Sequence, residues 1–217
     1  MSWAEPEPGV QSGGGGASRP VLVWRFPEPV RALATTVAGG GLGTRSWAIN
    51  AEVPLDYDHD DPGAYAAQIA DDLGLEAAAG LGFLTAASVL DVVSRADGGA
   101  SCDATVGIST PTWAAAPDGS WSRWTPGTIN LLCWIPAPLS DAALANALVT
   151  ATEAKTQAIL EAAVPGTGTA SDALGVCCPS GGTEAYGGPR SPWGARLARA
   201  VHEAVGVGIA RFLAGRS

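Results

Sequence analysis

The only lysine of this 217-residue chain, Lys155, falls on the apolar stripe of an amphipathic helix. Residues spaced at about 100° around a helix axis place one face of residues 140–163 in the core. That stripe consists of Leu144, Leu148, Ala151, Lys155, Ile159 and Ala162. A buried ammonium group is costly unless something inside the protein pairs with it. Lys155 therefore either belongs to a site or runs its stem along the core edge to reach water.

The rest of the pattern predicts an α/β or α+β protein, a single-domain sandwich of a mixed β-sheet with packed helices. Strands are expected at 20–26, 30–37, 45–53, 104–108, 128–135 and 173–178, helices at 64–73, 140–163 and 192–213, and a short strand or turn at 80–87. Residues 1–19 are rich in Pro, Glu, Gly and Ser, which predicts a disordered lead-in to one domain over 20–217.

Charge and cysteine usage disfavour several classes of protein. The net charge is −9 and no basic run is present, which argues against nucleic-acid binding. The four cysteines lack C-x-x-C spacing and only two histidines are available, so no metal or other cofactor is expected. No apolar run approaches the roughly 18 residues of a membrane span. We expect a cytoplasmic protein with reduced thiols and no membrane partner, and a homo-oligomer is left open.

Neither histidine lies in a promising setting for a Ser-His-Asp triad. His59 stands in an Asp-rich loop, and His202 is on the last predicted helix beside Glu203. Any hydrolytic chemistry is then expected from Lys155, a Thr or Ser hydroxyl and a carboxylate. A buried lysine without a partner would act as a base, whereas a carboxylate partner would hold it charged as an electrophile. The sequence leaves both roles open.

A turn over residues 166–172, Gly-Thr-Gly-Thr-Ala-Ser-Asp, follows the helix that carries the lysine. Its small residues let backbone N–H groups approach a ligand, Thr169 and Ser171 offer hydroxyls, and Asp172 offers a base. It lacks the Gly-Lys-Ser/Thr ending of a Walker loop, which weakens a nucleotide- or phosphate-binding interpretation. The remaining alternatives are a catalytic turn and a tight connection whose hydroxyls satisfy backbone groups.

Two asparagines on predicted strands extend the set of candidates. Asn130 at the start of one strand, and Asn50 with Glu52 on one face of another, can pair with both the donor and the acceptor of an amide. The long loop over residues 110–127 holds three tryptophans. They form either an apolar wall for a large flat ligand or a small satellite core.

Five segments, taken in order, resemble the adenosylcobinamide amidohydrolase family of corrinoid salvage. They are Asn50-Ala51-Glu52-Val53-Pro54, Gly82-Phe83-Leu84-Thr85-Ala86-Ala87, Gly127-Thr128-Ile129-Asn130, Ala151-Thr152-Glu153-Ala154-Lys155-Thr156 and Gly168-Thr169-Ala170-Ser171-Asp172-Ala173. The resemblance covers residues 21–214. It implies an enzyme that hydrolyses the amide joining aminopropanol to a propionyl side chain of the corrin ring. The products would be adenosylcobyric acid and 1-amino-2-propanol, so the expected partner is a corrinoid.

Amide hydrolysis needs a nucleophile or activated water, an oxyanion donor and an acid for the leaving amine. We expect Lys155 or Asp172 as the base and Thr169 or Ser171 as the nucleophile or water positioner. The expected substrate-binding residues are Asn50, Glu52, Thr85, Asn130, Thr152 and Glu153, with Asn130 as a substrate or oxyanion donor.

The chain departs from the family pattern in two places. The family's Gly-Thr-Ser-Thr-Asp is here Gly168-Thr169-Ala170-Ser171-Asp172, so one hydroxyl is lost at Ala170. The family's Thr-Ala-Gly stretch is blurred into residues 106–110. Loss of the nucleophile itself would leave the protein inactive. The alternative function is therefore a non-catalytic corrinoid-binding protein, which would bind adenosylcobinamide and release no aminopropanol.

Overall fold

A computed structural model describes residues 4–12, 18–76, 79–120 and 127–215. These residues contain eight strands: β1 (Glu7–Ser12), β2 (Ser18–Ala34), β3 (Gly41–Glu52), β4 (Gly80–Thr85), β5 (Val93–Asp97), β6 (Ala100–Val106), β7 (Ile129–Trp134) and β8 (Ala173–Cys178). The helices are α1 (Pro62–Asp72), α2 (Asp141–Glu161) and α3 (Pro192–Ala214). The expected α/β class, a mixed sheet with packed helices, is confirmed.

All eight strands join one sheet in the order β4-β3-β2-β8-β7-β6-β5, with β1 paired to β2 outside that path. The β3–β4 and β7–β8 pairs are parallel, and the other pairs are antiparallel. The long strand β2 pairs with β1 along its first half and with β8 along its second half. Its register against β3 shifts between Arg25 and Val30, an irregularity of the kind that bends a strand.

The bend lets β2, β3 and β4 turn back over one face of β6, β7 and β8. Leu22, Trp24 and Phe83 from the first group share a buried cluster with Leu132 and Trp134 from the second. On the other face of the second group, α2 and α3 cover the core of the protein. The remaining helix, α1, packs on the outer face of β2 and β3. The sheet is thus covered by apolar side chains on both faces.

Side-chain caps begin the helices close to where the sequence predicts them. The Ser140 hydroxyl accepts a hydrogen bond from the Ala143 N–H at 3.2 Å and starts α2. At α1, the Asp61 carboxylate accepts from the Ala64 N–H at 2.9 Å. Gly74 follows α1 with a φ of 70°, a left-handed conformation that costs glycine little. None of the helices in the described ranges is long and apolar enough to cross a membrane.

Part of the expected N-terminal lead-in is ordered. Residues 7–12 form β1, whose backbone pairs with residues 18–23 of β2. A composition rich in Pro, Gly and Ser predicts disorder. It contains no information on the edge of β2, with which this segment pairs in the folded protein. Residues 1–3 and 13–17 of the lead-in lie outside the described residues.

Two further strand boundaries differ from expectation. The runs 20–26 and 30–37 were expected as separate strands, and they lie within or beside the single bent strand β2. The Gly-rich connection after β2 is a hairpin, since β2 and β3 are antiparallel neighbours. The edge strand Val93–Asp97 was not predicted, because it is short and alternates charged with small residues.

Candidate active site at the turn between α2 and β8

Lys155 is buried, as its place on the helix stripe predicts, and its ammonium group pairs with the Asp172 carboxylate. The two side chains are 7% and 8% exposed, so the alternative in which Lys155 reaches water is wrong. The lysine comes from the last third of α2, and the aspartate comes from the turn that precedes β8. A pair this well buried has to complete its hydrogen bonding with protein groups, because water is largely excluded.

Asp172 accepts four hydrogen bonds in the described part of the chain. Its Oδ1 accepts from the Ile129 N–H at 3.0 Å and from the Thr169 hydroxyl at 2.5 Å. Its Oδ2 accepts from the Thr169 N–H at 3.1 Å and from Lys155 Nζ. These donors hold the carboxylate in one orientation. Thr169, which supplies two of these donors, is itself half-buried.

Gly168 lies directly against the ion pair. A Cβ added to this residue would sit 2.5 Å from Asp172 Oδ2 and 2.7 Å from Lys155 Nζ, so a side chain here would displace the ion pair. The Gly168 carbonyl accepts from the Thr112 N–H at 2.8 Å, which fastens the turn to the loop after β6. The absence of a side chain at Gly168 therefore lets the ion pair lie directly against the backbone of the turn. In a phosphate-binding loop, a glycine lets the ligand approach the backbone in the same way.

Ser171 lies on the exposed side of the same turn. Its hydroxyl shares a 2.8 Å hydrogen bond with the Thr128 hydroxyl and reaches the Gly127 carbonyl at 3.4 Å. Ala170 is exposed, so the hydroxyl that is lost there takes no part in these contacts. Sequence reasoning missed Thr128 as a site residue, although it falls inside one of the five segments, because nothing in the sequence pairs it with Ser171.

A second polar group lies in the interior, where the two parts of the sheet face each other. Asn130 Nδ2 donates to Asn50 Oδ1 and to the Leu84 carbonyl, both at 3.0 Å, and Asn50 Nδ2 donates to Thr105 Oγ1 at 2.9 Å. Both asparagines are 3% exposed or less. Since both hydrogens of the Asn130 amide are engaged, none is left for an oxyanion in this geometry. The group fastens β3 and β4 to β7.

The other expected substrate-binding residues lie apart from the ion pair. The half-buried Glu52 carboxylate lies 3.4 Å from the Val89 N–H, which donates to it. Thr85 is buried, and its hydroxyl accepts from a backbone N–H two residues later at 3.0 Å. Thr152 and Glu153 are exposed on α2. Sequence proximity to Lys155 did not place them beside it, because one helical face is buried and the next is in water.

The tryptophan-containing loop is only partly described. Trp113 is 48% exposed. Ala114 N–H donates to the Thr167 hydroxyl at 3.0 Å, which ties the start of the loop to the candidate turn. Trp121 and Trp124 lie outside the described residues, so both interpretations of the loop stay predictions.

The cysteines are free and buried, as expected for reduced core thiols. A hydrogen bond with Cys133 raises the pKa of the Cys102 thiol, and burial raises the pKa of the Cys177 thiol. Both remain neutral at ordinary pH and are poor nucleophiles. His202 lies 2.7 Å from Glu161 in an exposed contact between α2 and α3. Within the described ranges, no three His, Cys, Asp or Glu side chains are grouped to hold a metal ion.

A model of the adenosylcobinamide amidohydrolase (CbiZ) family matches residues 7–215 of the chain. The chain belongs to this family. The match confirms the resemblance in the five segments and shows that the protein is a member of a hydrolase family. The region that matches the family includes the ion pair, the turn over residues 166–172 and β1.

Two curated proteins named adenosylcobinamide amidohydrolase are similar to the chain. The protein from Halobacterium salinarum is 42% identical over 109 residues, which are 47% of this chain and 46% of that protein. The protein from Methanosarcina mazei is 29% identical over 185 residues, which are 81% of this chain and 88% of that protein. The aligned part of the chain therefore spans about half the length of the first relative and most of the second.

Proposed function

We propose that this protein hydrolyses the amide that joins aminopropanol to a propionyl side chain of the corrin ring in adenosylcobinamide. The products are adenosylcobyric acid and 1-amino-2-propanol. The observation that carries the proposal is the buried Lys155–Asp172 pair, whose carboxylate accepts a hydrogen bond from the hydroxyl of the half-buried residue Thr169. Membership of the adenosylcobinamide amidohydrolase family and the names of the two relatives support the choice of substrate.

Thr169 is the nucleophile in this proposal, and Asp172 is its base. The Thr169 Oγ attacks the amide carbonyl carbon while its proton passes to the Asp172 carboxylate. The same proton then goes to the aminopropanol nitrogen as the C–N bond breaks, which leaves the corrinoid as an ester on Thr169. A water molecule attacks the ester and gives one proton to Asp172. That proton returns to the Thr169 oxygen as the carboxylic acid leaves.

Lys155 is a positioning residue for this base. Its ammonium holds Oδ2 of Asp172, so that Oδ1 faces the Thr169 hydroxyl at 2.5 Å. Two backbone N–H groups, from Ile129 and Thr169, fix the same carboxylate. In this proposal the Ser171 hydroxyl turns away from its present acceptor, the Gly127 carbonyl, and donates a hydrogen bond to the reacting carbonyl oxygen. Lys155 and Asp172 thus act as a unit, which predicts strongly non-additive losses when both are replaced.

The test is incubation of the full chain with adenosylcobinamide, followed by mass spectrometry for adenosylcobyric acid and aminopropanol. Thr169→Val keeps the side-chain shape and loses the hydroxyl, so kcat should fall by about a thousandfold or more. Thr169→Ser retains a nucleophile and should keep measurable turnover. Acid quenching of the wild type should leave a corrinoid ester on the peptide that contains Thr169.

Each result has a defined meaning. Binding of adenosylcobinamide by the wild type with no release of aminopropanol would contradict hydrolysis and favour the non-catalytic corrinoid-binding alternative. Near-normal turnover in Thr169→Val would reject Thr169 as the nucleophile. Ser171→Ala is the hydroxyl deletion in the same turn, and loss of its hydrogen bond to the reacting oxygen should lower kcat by about a hundredfold, less than Thr169→Val does.

A further inference from the structure

A cavity of about 580 Å³ opens at the end of the sheet nearest the candidate site. Its wall is formed by the segment after β4, the end of β6, Gly127 and the last turns of α3. The volume lies within the roughly 300–1,000 Å³ of pockets that hold small molecules. None of the expected site residues lines this cavity.

The first link between the cavity and the ion pair runs through the start of β7. Gly127 lines the cavity, and its carbonyl lies 3.4 Å from the Ser171 hydroxyl. Two residues later, the Ile129 N–H donates to Asp172 at 3.0 Å. A ligand that contacts Gly127 is therefore connected, through these two hydrogen bonds, to the turn that carries Thr169.

The second link runs through the loop after β6. Ser109 lines the cavity, and three residues later the Thr112 N–H donates to the Gly168 carbonyl at 2.8 Å. The loop after β6 and the start of β7 are held together, since the Gly107 N–H donates to the Thr128 carbonyl at 3.0 Å. The loop after β6 and the start of β7 therefore both form hydrogen bonds with the turn over residues 166–172.

The cavity combines apolar surface with two opposite charges. Leu55, Val106 and Phe212 are its larger apolar lining residues. Arg211 and Asp91 line it as well, and both are exposed. Among the residues that the structure describes, no side-chain hydrogen bond or ion pair involves either charge. Both are therefore available to a ligand.

We propose that this cavity binds the edge of the corrin ring that carries primary amide side chains, an inference that rests on the function proposed above. Arg211 donates to an amide carbonyl, and Asp91 accepts from an amide N–H. A primary amide has an acceptor oxygen and two N–H donors, so one neutral group type satisfies both charges. The apolar lining contacts the ring. Because a whole corrinoid is larger than the cavity, the rest of the ring projects outward and its reacting side chain extends towards Thr169.

The first test separates binding from chemistry. Arg211→Met and Asp91→Ala should each raise KM for adenosylcobinamide about tenfold, as expected for loss of a hydrogen bond to a charged group, and leave kcat within about twofold. Arg190→Met is the matched control, since Arg190 is also exposed and lies outside the cavity. Binding in the Thr169→Val background, measured by tryptophan fluorescence, should show the same tenfold changes in Kd without turnover.

A modified ligand tests recognition of the amide itself. A corrinoid in which only the side-chain amide that contacts Asp91 has been hydrolysed to a carboxylate should bind the wild type about tenfold more weakly, because Asp91 repels it. Asp91→Asn removes that repulsion and should recover most of the loss, whereas Arg190→Met should recover none. Recovery would not follow from a purely structural role of Asp91.

Unchanged Kd in both cavity variants would overturn the inference, even with full hydrolysis by the wild type. Arg211 also lies in the last turns of α3, where a cation favours the helix. A lower Tm with unchanged Kd would assign it that role alone and would also overturn the inference. Absence of hydrolysis by the wild type would count against the proposed function, while the Kd comparison would still decide the role of the cavity.

Discussion

Among single residues, Lys155 and Asp172 depend on each other for their burial. Lys155→Met would leave the Asp172 carboxylate buried without a cation, and such one-sided breaks cost about 3–5 kcal/mol. Adding Asp172→Asn removes the unpaired charge, so the double variant should regain part of the loss. Urea denaturation of the wild type, both single variants and the double variant measures the free energies of unfolding.

The control for this cycle is an exposed ion pair. Arg25 pairs with Glu7 at 3.2 Å, and the two side chains are 51% and 66% exposed. Arg25→Met should cost about 1 kcal/mol or less, since water screens such pairs. A Lys155→Met variant no less stable than Arg25→Met would show that the buried pair is not a structural requirement.

A side chain at Gly168 is expected to displace the ion pair. Gly168→Ala would place a Cβ 2.5 Å from Asp172 Oδ2, so the ion pair has to shift. A misplacement of about 1 Å can cost a hundredfold in rate, and overpacking costs about 1–3 kcal/mol. Steady-state kinetics and thermal unfolding measure the two effects.

Gly206→Ala provides the matched control on α3. A Cβ at Gly206 meets nothing within 4 Å, and alanine favours a helix interior over glycine by about 1 kcal/mol. We expect unchanged activity and equal or higher stability in this variant. Equal behaviour of the two alanine variants would contradict the crowding at Gly168.

Among secondary-structure elements, the parallel pair β7–β8 is what brings the site together. Asn130 is the register partner of Ala173, so the N-terminal ends of the two strands lie side by side. That register places the Ile129 N–H against the carboxylate of Asp172, one residue before β8. The short turn after α2 then carries Thr169 to the same end of the sheet.

The strand β1 is expected to stabilise the bent half of β2. It covers the edge of β2 opposite β3, and Gln11 Nε2 donates to the Glu52 carbonyl at 2.7 Å. Deletion of residues 1–17 would expose that edge, so we expect a lower Tm and concentration-dependent association. Thermal unfolding and size-exclusion chromatography measure both. Deletion of residues 1–3 is the control, and an equal Tm for both deletions would contradict a role for β1.

For the whole molecule, stability should decline at high pH through Tyr57. Burial, with Tyr65 and Asp61 nearby, raises the pKa of Tyr57 from 10.0 to about 12. The unfolded chain ionises this phenol at its ordinary value, so its contribution is complete below that value and is lost as pH rises through about 12. Chemical denaturation across this range measures the decline.

Tyr57→Phe separates this effect from general alkaline unfolding. In the described structure the Tyr57 hydroxyl is buried without a hydrogen-bond partner, so its removal should not reduce stability at neutral pH. The variant should then lose less stability than the wild type between neutral and high pH. Parallel declines in the two proteins would assign the alkaline loss to other groups.

Periodicity along the chain predicted the three helices, most strands and the place of Lys155 on an apolar helix face, because the spacing of apolar residues in a helix or strand is a local property. The bent course of β2, the strand β1 and the edge strand β5 were not predictable in this way. Each depends on which edge or face another part of the sheet makes available. The spacing of apolar residues along the chain does not determine those long-range neighbours.

For the candidate site too, local features were predictable from the sequence and long-range contacts were not. The sequence placed Lys155 on the buried face of its helix, which is a local argument, but it left open whether the ammonium is paired inside the protein or reaches water. Its pairing with Asp172, the crowding at Gly168 and the bond between Asn50 and Asn130, 80 residues apart, followed from how the sheet bends and which strands become neighbours. Local spacing fixes which side chains turn inward, whereas long-range packing selects the partners that they meet there.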